Sequence, residues 1–245
     1  MDEVLFIGTS DAFGAGGRRQ AAILLRGPSA SVLLDCGPTT LTGLVSLGVP
    51  RDEVDAILIS HFHGDHFGGI PLFLLAAVYE DQRQRPLRII GPEGVRARVS
   101  AAAAGLGHPI EENARRFPLE FTEFRADEEI AAGPLRLRAF RGHHQDEARP
   151  HGFVVAAGSR RVAYTGDTGW FDALPEKVKG ADLLISECTL LEKGYEYHLS
   201  LAELEARKGD FDCGRIVLTH LGPEMSARRG DVSLECADDG LRIPL

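Results

Sequence analysis

The sequence predicts a layered α/β domain, with sheets inside and helices outside. Three observations predict it. Short apolar runs bounded by Gly, Pro or Asp recur along the chain, the pattern of buried strands. Stretches with helical periodicity are fewer and lie between those runs. No Ser/Gly/Pro-rich linker or low-complexity tract interrupts the 245 residues, so a single domain covering 1–245 is the economical division. A chain of this length buries about 70–75% of its extended surface and needs neither disulfide nor metal merely to fold.

The strand-like runs in the first half are 4–7, 21–25, 32–34, 56–59, 86–90 and 119–124. Residues 135–140 alternate Leu135, Leu137 and Ala139 with arginines, which gives that strand one buried face. Runs 153–156 and 161–164 flank a Gly158–Ser159 turn and read as a hairpin. Runs 183–185 and 216–218 complete the series. Helices are predicted over 39–47, 70–79, 92–104 and 199–207. Ser200 precedes Glu203 by three positions, a capping box that starts the last helix near Ser200.

Composition excludes some classes of function. Hydrophobic residues make up 44% and charged residues 26%, ordinary for a globular protein, and the net charge is −9. Such a surface repels phosphate backbones and disfavours broad nucleic-acid binding, although bound metal ions would reverse the field locally. Cys36, Cys188, Cys213 and Cys236 are scattered and read as reduced thiols. The opening MDEVLFIGTS lacks a basic, apolar leader, and no run of 18 apolar residues occurs. These features point to the cytoplasm and away from a membrane; a homodimer is compatible with them.

Residues 57–71 read ILISHFHGDHFGGIP. An apolar strand runs into His61, His63, Asp65 and His66. On an extended strand end His61 and His63 point to the same side, and Asp65 and His66 follow a glycine at the turn into a helix. Such a turn aims two pairs of donors at two adjacent points. Imidazoles suit zinc and similar borderline metals, and the carboxylates add harder ligands.

This stretch resembles the HxHxDH signature of the metallo-β-lactamase superfamily, within it the ribonuclease Z and phosphodiesterase branch. The family's later motifs follow in order as GHH at 142–144, YTGDTGW at 164–170 and IVLTHLG at 216–222. The resemblance implies a four-layer αββα sandwich and a metal-dependent hydrolase with two divalent metal ions. Zinc is the first choice, and manganese or iron suits the same donors. It assigns His61, His63 and one of His143/His144 to the first metal. It assigns Asp65, His66 and His220 to the second, with Asp167 bridging. Alternation from Leu135 favours His143; the family's spacing favours His144, and a bulge at Gly142 would reconcile the two. Asp35, in VLLDCG, either orients a ligand or merely caps its strand. His108 and His151, beside prolines, are expected to be structural loop residues.

The segment 183–201, LLISECTLLEKGYEYHLSL, bears on the branch. Glu187 and His198 resemble the Glu of the HEAT motif and the His of the HST motif in ribonuclease Z, with Ser186 and Leu199 as departures. A carboxylate that holds an imidazolium lets it protonate a departing alkoxide. Asp65, Glu187 and His198 are therefore the candidate catalytic groups, Asp65 doubling as a ligand. The alternative is a surface Glu and a helix-start His without contact. His144 and Asp167 stand 23 positions apart, with room for one hairpin and none for the long arm of tRNA-processing members. The expected substrate is a small or cyclic phosphodiester, with tRNA disfavoured. A lactone, thioester or other ester is the alternative, and a non-catalytic metal-binding sensor the third reading.

Overall fold

The computed structural model describes residues 2–110, 116–132 and 134–245. Two seven-stranded sheets face each other, with helices on both outer surfaces, in the αββα order. The first sheet holds β1 (Glu3–Gly8), β2 (Ala22–Arg26), β3 (Ser31–Leu34), β4 (Ala56–Leu58), β5 (Leu87–Pro92), β6 (Leu119–Phe124) and β14 (Arg242–Pro244), in the order β14-β1-β2-β3-β4-β5-β6. The second holds β7 (Glu129–Ala132), β8 (Leu135–Arg141), β9 (His151–Ala157), β10 (Arg160–Tyr164), β11 (Ala181–Glu187), β12 (Cys213–Thr219) and β13 (Glu235–Cys236), in the order β13-β12-β11-β10-β9-β8-β7.

Each sheet is antiparallel at one end and parallel at the other. Strands β14 to β3 and β7 to β10 pair antiparallel; β3 to β6 and β10 to β13 pair parallel. Parallel neighbours need crossovers, and the helices are found there. On the first sheet these are α1 (Thr40–Ser46), α2 (Gly64–Phe67), α3 (Ile70–Tyr79) and α4 (Val95–Gly105); on the second, α5 (Leu174–Val178), α6 (Leu201–Arg207) and α7 (Pro223–Arg228).

Strand alternation divides the core. Val4 and Phe6 of β1 point between the sheets, packed with Phe153, Val155 and Val162. Leu5 and Ile7 point outward, into the layer with Leu44, Phe73 and Val99 of the helices. Leu135, Leu137 and Ala139 face the inter-sheet core, as their alternation with arginines predicts. Because both faces of the central strands are covered, they read as continuous apolar runs.

The helix predicted over 92–104 is corrected at its start. Pro92 still belongs to β5, paired with Phe124, and the chain turns at Gly94 (φ 92°) before α4 begins at Val95. The last predicted helix begins at Leu201, with the Ser200–Glu203 capping box formed in both directions. Short elements escaped the sequence reading: β7, β13, β14, α2, α5 and α7 span too few residues to show a period. His151 is not a loop residue. It opens β9, buried, with its ring edge-on to Phe124 and its Nδ1 on the Arg149 carbonyl, and burial lowers its pKa to about 4. His108 lies in the turn after α4, its N–H bonded to the Ala103 carbonyl. The four cysteines carry free thiols. No helix among the described residues is long and apolar enough to cross a membrane.

Candidate metal centre

The chemistry-bearing side chains collect where strand ends of both sheets meet. β4 ends at Leu58, the chain bends at Ser60, and His63, extended at ψ 146°, is the cap of α2. Asp65 and His66 therefore occupy the first turn of α2, beside His61 and His63. Two glycines allow the fit. A Cβ on Gly37 would lie 2.3 Å from the Asp65 carbonyl oxygen, and one on Gly69 would lie 2.2 Å from that of Gly37. Any side chain there would push the α2 turn off the 35–37 loop. His144 follows the end of β8, Asp167 the end of β10, and His220 the end of β12. Asp35 (φ 59°) and His220 (φ 54°) hold left-handed backbone conformations without being glycine, strain of a kind concentrated at functional sites.

Three groups of donor atoms converge, each within 4.8 Å: His61, His63, His144 and Asp167; Asp65, His66, Asp167 and His220; and Glu187, His198 and His220. In the first group His63 Nδ1 lies 3.1 Å from both His61 Nε2 and His144 Nε2. In the second, His66 Nε2 lies 3.2 Å from Asp65 Oδ2, 3.2 Å from Asp167 Oδ1 and 3.3 Å from His220 Nε2. Asp167 reaches both groups, with Oδ2 at 3.7 Å from His61 Nε2 and Oδ1 at 3.4 Å from His220 Nε2.

The surrounding hydrogen bonds fix which nitrogen of each ring is free. His66 Nδ1 donates to Asp35 Oδ2 at 2.7 Å, and His144 Nδ1 donates to the Tyr197 carbonyl at 2.8 Å. The Ser60 hydroxyl donates to Asp35, so it accepts from His61 Nδ1 at 3.0 Å. The Thr189 hydroxyl donates to Glu187 Oε2, so it accepts from His220 Nδ1 at 2.9 Å. Each Nε2 of these four rings then turns an unshared pair toward its group.

Lone pairs facing one another at such distances repel, and a cation between them removes the repulsion. Four ligands about 2.05 Å from a tetrahedral zinc lie about 3.3 Å apart, close to the spacing seen within each group. Asp167 Oδ1 is buried and makes no aligned hydrogen bond, an expensive state for a carboxylate unless a cation satisfies it. Both donor sets fit a divalent ion.

Electrostatics agree with that fit. Burial opposes ionisation of Asp167, but the imidazoles of His220, His66 and His61 outweigh it and hold the carboxyl well below its usual range. Asp65 is lowered in the same way, against burial, by His66 and His220. Burial pushes His61 and His144 down, toward the neutral ligand form. His66 and His220 are raised because nearby carboxylates, Asp167 foremost, outweigh burial. The carboxylates thus draw positive charge to the point where the second group converges.

Glu187 is fully buried and accepts four hydrogen bonds. Oε1 takes the Thr168 N–H at 3.0 Å and His198 Nδ1 at 2.8 Å; Oε2 takes the Thr189 N–H at 3.0 Å and the Thr189 hydroxyl at 2.9 Å. Burial disfavours a charged His198, but Glu187 overcomes it and raises the pKa to about 9. The His198 ring stacks on His220 at 5.6 Å and meets His144 edge-on at 4.9 Å. The pair therefore sits against both metal-site groups.

Of the two candidates at 143 and 144, the structure places His144 in the first group. His143 is exposed, its N–H bonded to the Thr168 hydroxyl and its ring on Tyr197. Alternation pointed to His143 only because it was carried past the strand: β8 ends at Arg141, in regular register with His151 and without a bulge. Asp35 is an orienting residue as well as a strand-end residue, accepting from the Ser60 N–H and hydroxyl, His66 and Tyr164. Sequence reasoning passed over Ser60, Tyr164, Thr168 and Thr189. Ser60 and Thr189 carry a signal only by adjacency, beside His61 and in the ECT of Glu187.

Residues 30–221 match the family model described as the beta-lactamase superfamily domain, and that span contains every member of the three groups. The chain belongs to the beta-lactamase superfamily. A Ribonuclease Z of Methanothermobacter thermautotrophicus is 28% identical over an alignment of 298 positions, covering 97% of this chain and 91% of the relative. The short form of human tRNase Z shares 25% identity, with a TM-score of 0.78 and 98% of each chain covered. The metallo-beta-lactamase fold protein YhfI of Bacillus subtilis shares 24%, with a TM-score of 0.78 and 99% of each chain covered. This superfamily member is thus similar, over nearly its whole length, to proteins named ribonuclease Z or tRNase Z. Between His144 and Asp167 it has one short 3-10 turn and the β9–β10 hairpin, with no arm. Two clustered His/Asp sites on this scaffold make it a metal-dependent hydrolase.

Proposed function

We propose that this hydrolase is a dinuclear phosphodiesterase acting on small or cyclic phosphodiesters. The carrying observation is the buried Glu187–His198 pair, 2.8 Å apart, set against His220 and His144. In this reading His61, His63 and His144 hold one ion, Asp65, His66 and His220 the other, and Asp167 bridges them. When bound, two such ions supply a hydroxide nucleophile near neutral pH and neutralise charge on a phosphoryl oxygen. The chain's own residues do the rest. Glu187 fixes the His198 tautomer and keeps the ring protonated, so the opposite ring nitrogen can give a proton to the departing alkoxide. Ribonuclease as the name of the M. thermautotrophicus relative also points to a phosphodiester bond.

Net charge −9 and the bare hairpin favour small diesters over tRNA. The 298-position alignment exceeds the 245 residues of this chain, so that relative carries inserted segments this chain lacks. The reading includes zinc as the metal, one domain over 1–245 and a cytoplasmic setting, the last supported by four free thiols. A thioester expels a thiolate, which leaves without a proton, and would leave the Glu187–His198 pair without a task.

The test is a substrate panel with metal analysis. About two ions per chain are expected. Bis(p-nitrophenyl) phosphate should turn over faster than lactones or aryl acetates, with activity lost on chelation and restored by added zinc. Faster lactone turnover would overturn the proposal. Asp35→Asn is expected to weaken metal affinity about 10- to 100-fold, the range for ligand-orienting residues. Its amide can present a donor to Ser60, Tyr164 or His66, all of which are donors already. Equilibrium dialysis against zinc chelators would read the effect, and unchanged affinity would reduce Asp35 to a strand cap.

A further inference from the structure

Tyr195 stands out of the surface in the loop between Glu187 and His198, 47% exposed. Among the described residues it is the exposed large hydrophobic side chain whose ring packs on a member of the three donor groups, at 5.9 Å from His198 and tilted by 36°. The ring is held in place. Gln145 Nε2 donates to its hydroxyl at 3.2 Å, and Tyr197 meets it edge-on at 5.4 Å. Tyr197 in turn lies 5.5 Å from the exposed ring of His143. An aromatic strip thus runs along the rim of the site, from His198 past His144. Burying so exposed a ring is favourable, and a ring already oriented loses little entropy when something stacks on it.

We propose that Tyr195 floors a binding subsite for the planar aromatic part of the substrate, a nucleobase, carried on the same side of the phosphorus as His198. The inference rests on the phosphodiesterase reading and adds the class of substrate, nucleoside-sized phosphodiesters. Every base offers a π-face, so stacking selects an aromatic group without selecting a sequence. The neighbouring charges limit the ligand's size. Glu192 and Glu196 are exposed on the same loop, and Lys193 is engaged by Glu203 at 3.2 Å. That surface offers no track for a long phosphate backbone.

The test is calorimetric binding of adenosine monophosphate and ribose 5-phosphate, which differ only in the base, to the zinc-loaded protein. Adenosine monophosphate should bind about 5- to 100-fold more tightly, the usual worth of one stacked base. Tyr195→Ala should close that gap to within about twofold, and Tyr195→Phe should keep it. Equal binding in the wild type, absence of saturable binding by adenosine monophosphate, or a gap that survives Tyr195→Ala would overturn the subsite. A gap lost equally in Tyr195→Phe would overturn stacking in favour of the hydroxyl. If the gap behaves as expected but no phosphodiester is hydrolysed, the subsite stands and the phosphodiesterase reading fails.

Discussion

Replacing Asp167 with alanine is expected to empty both metal positions together and to lower kcat/KM by about 10³-fold or more, since metal charge stabilisation supplies several kcal/mol. The expectation follows from placement. Asp167 Oδ1 lies 3.2 Å from His66 Nε2 and Oδ2 lies 3.7 Å from His61 Nε2, so one carboxylate serves both groups. Without it the first group keeps three imidazoles and no anion, and the second keeps one carboxylate, that of Asp65. Of the two proposed metal positions, His220→Ala removes a donor from the second alone and should leave the first ion largely bound; it also takes His220 from beside the Glu187–His198 pair. Metal analysis of the two purified variants separates the cases. Circular dichroism guards against misfolding, and Asp167→Asn supplies a variant of the same shape. Two ions and full activity in Asp167→Ala would end the bridging assignment.

The strands were legible because each is an apolar run stopped by a turn former, and the sheets bury both faces of the central ones. The HFHGDH stretch was legible because ligand spacing follows directly from a strand end entering a helical turn. Chain-distant pairings were visible only through the order of motifs. His66 and His220 are 154 positions apart, and nothing local in IVLTHLG says that a left-handed residue after β12 turns its ring toward α2. The orienting shell was the least legible. Tyr164 reads as one more apolar strand residue, yet its hydroxyl crosses the inter-sheet core to donate to Asp35 at 2.8 Å. Thr189 reads as a polar loop residue, yet its hydroxyl joins Glu187 to His220. Such roles depend on where two sheets bring a hydroxyl, and periodicity carries no information about that. The choice between His143 and His144 turned on a single fact of the same kind, the end of β8 at Arg141.

His198→Ala is expected to keep its metals and its fold while losing about 10²- to 10⁴-fold in turnover, the usual worth of a positioned acid. The loss should depend on the leaving group. It should be greatest for alkyl phosphodiesters, whose alkoxides leave poorly without a proton, and small for p-nitrophenolate, which departs unaided. The slope of log kcat against leaving-group pKa should therefore steepen in the variant. Glu187→Gln is a less gentle control than its chemistry suggests. Both Glu187 oxygens already accept from two donors each, so the amide nitrogen of Gln must face donors whichever way it turns. That clash should cost about 1–3 kcal/mol of stability, visible in thermal unfolding. It should also remove the charge that holds His198 protonated, steepening the same slope to a lesser degree. Equal slowing of His198→Ala on good and poor leaving groups would make His198 a binding residue. An unslowed variant would remove the main support for phosphodiester hydrolysis and favour a carboxylic ester or lactone as substrate.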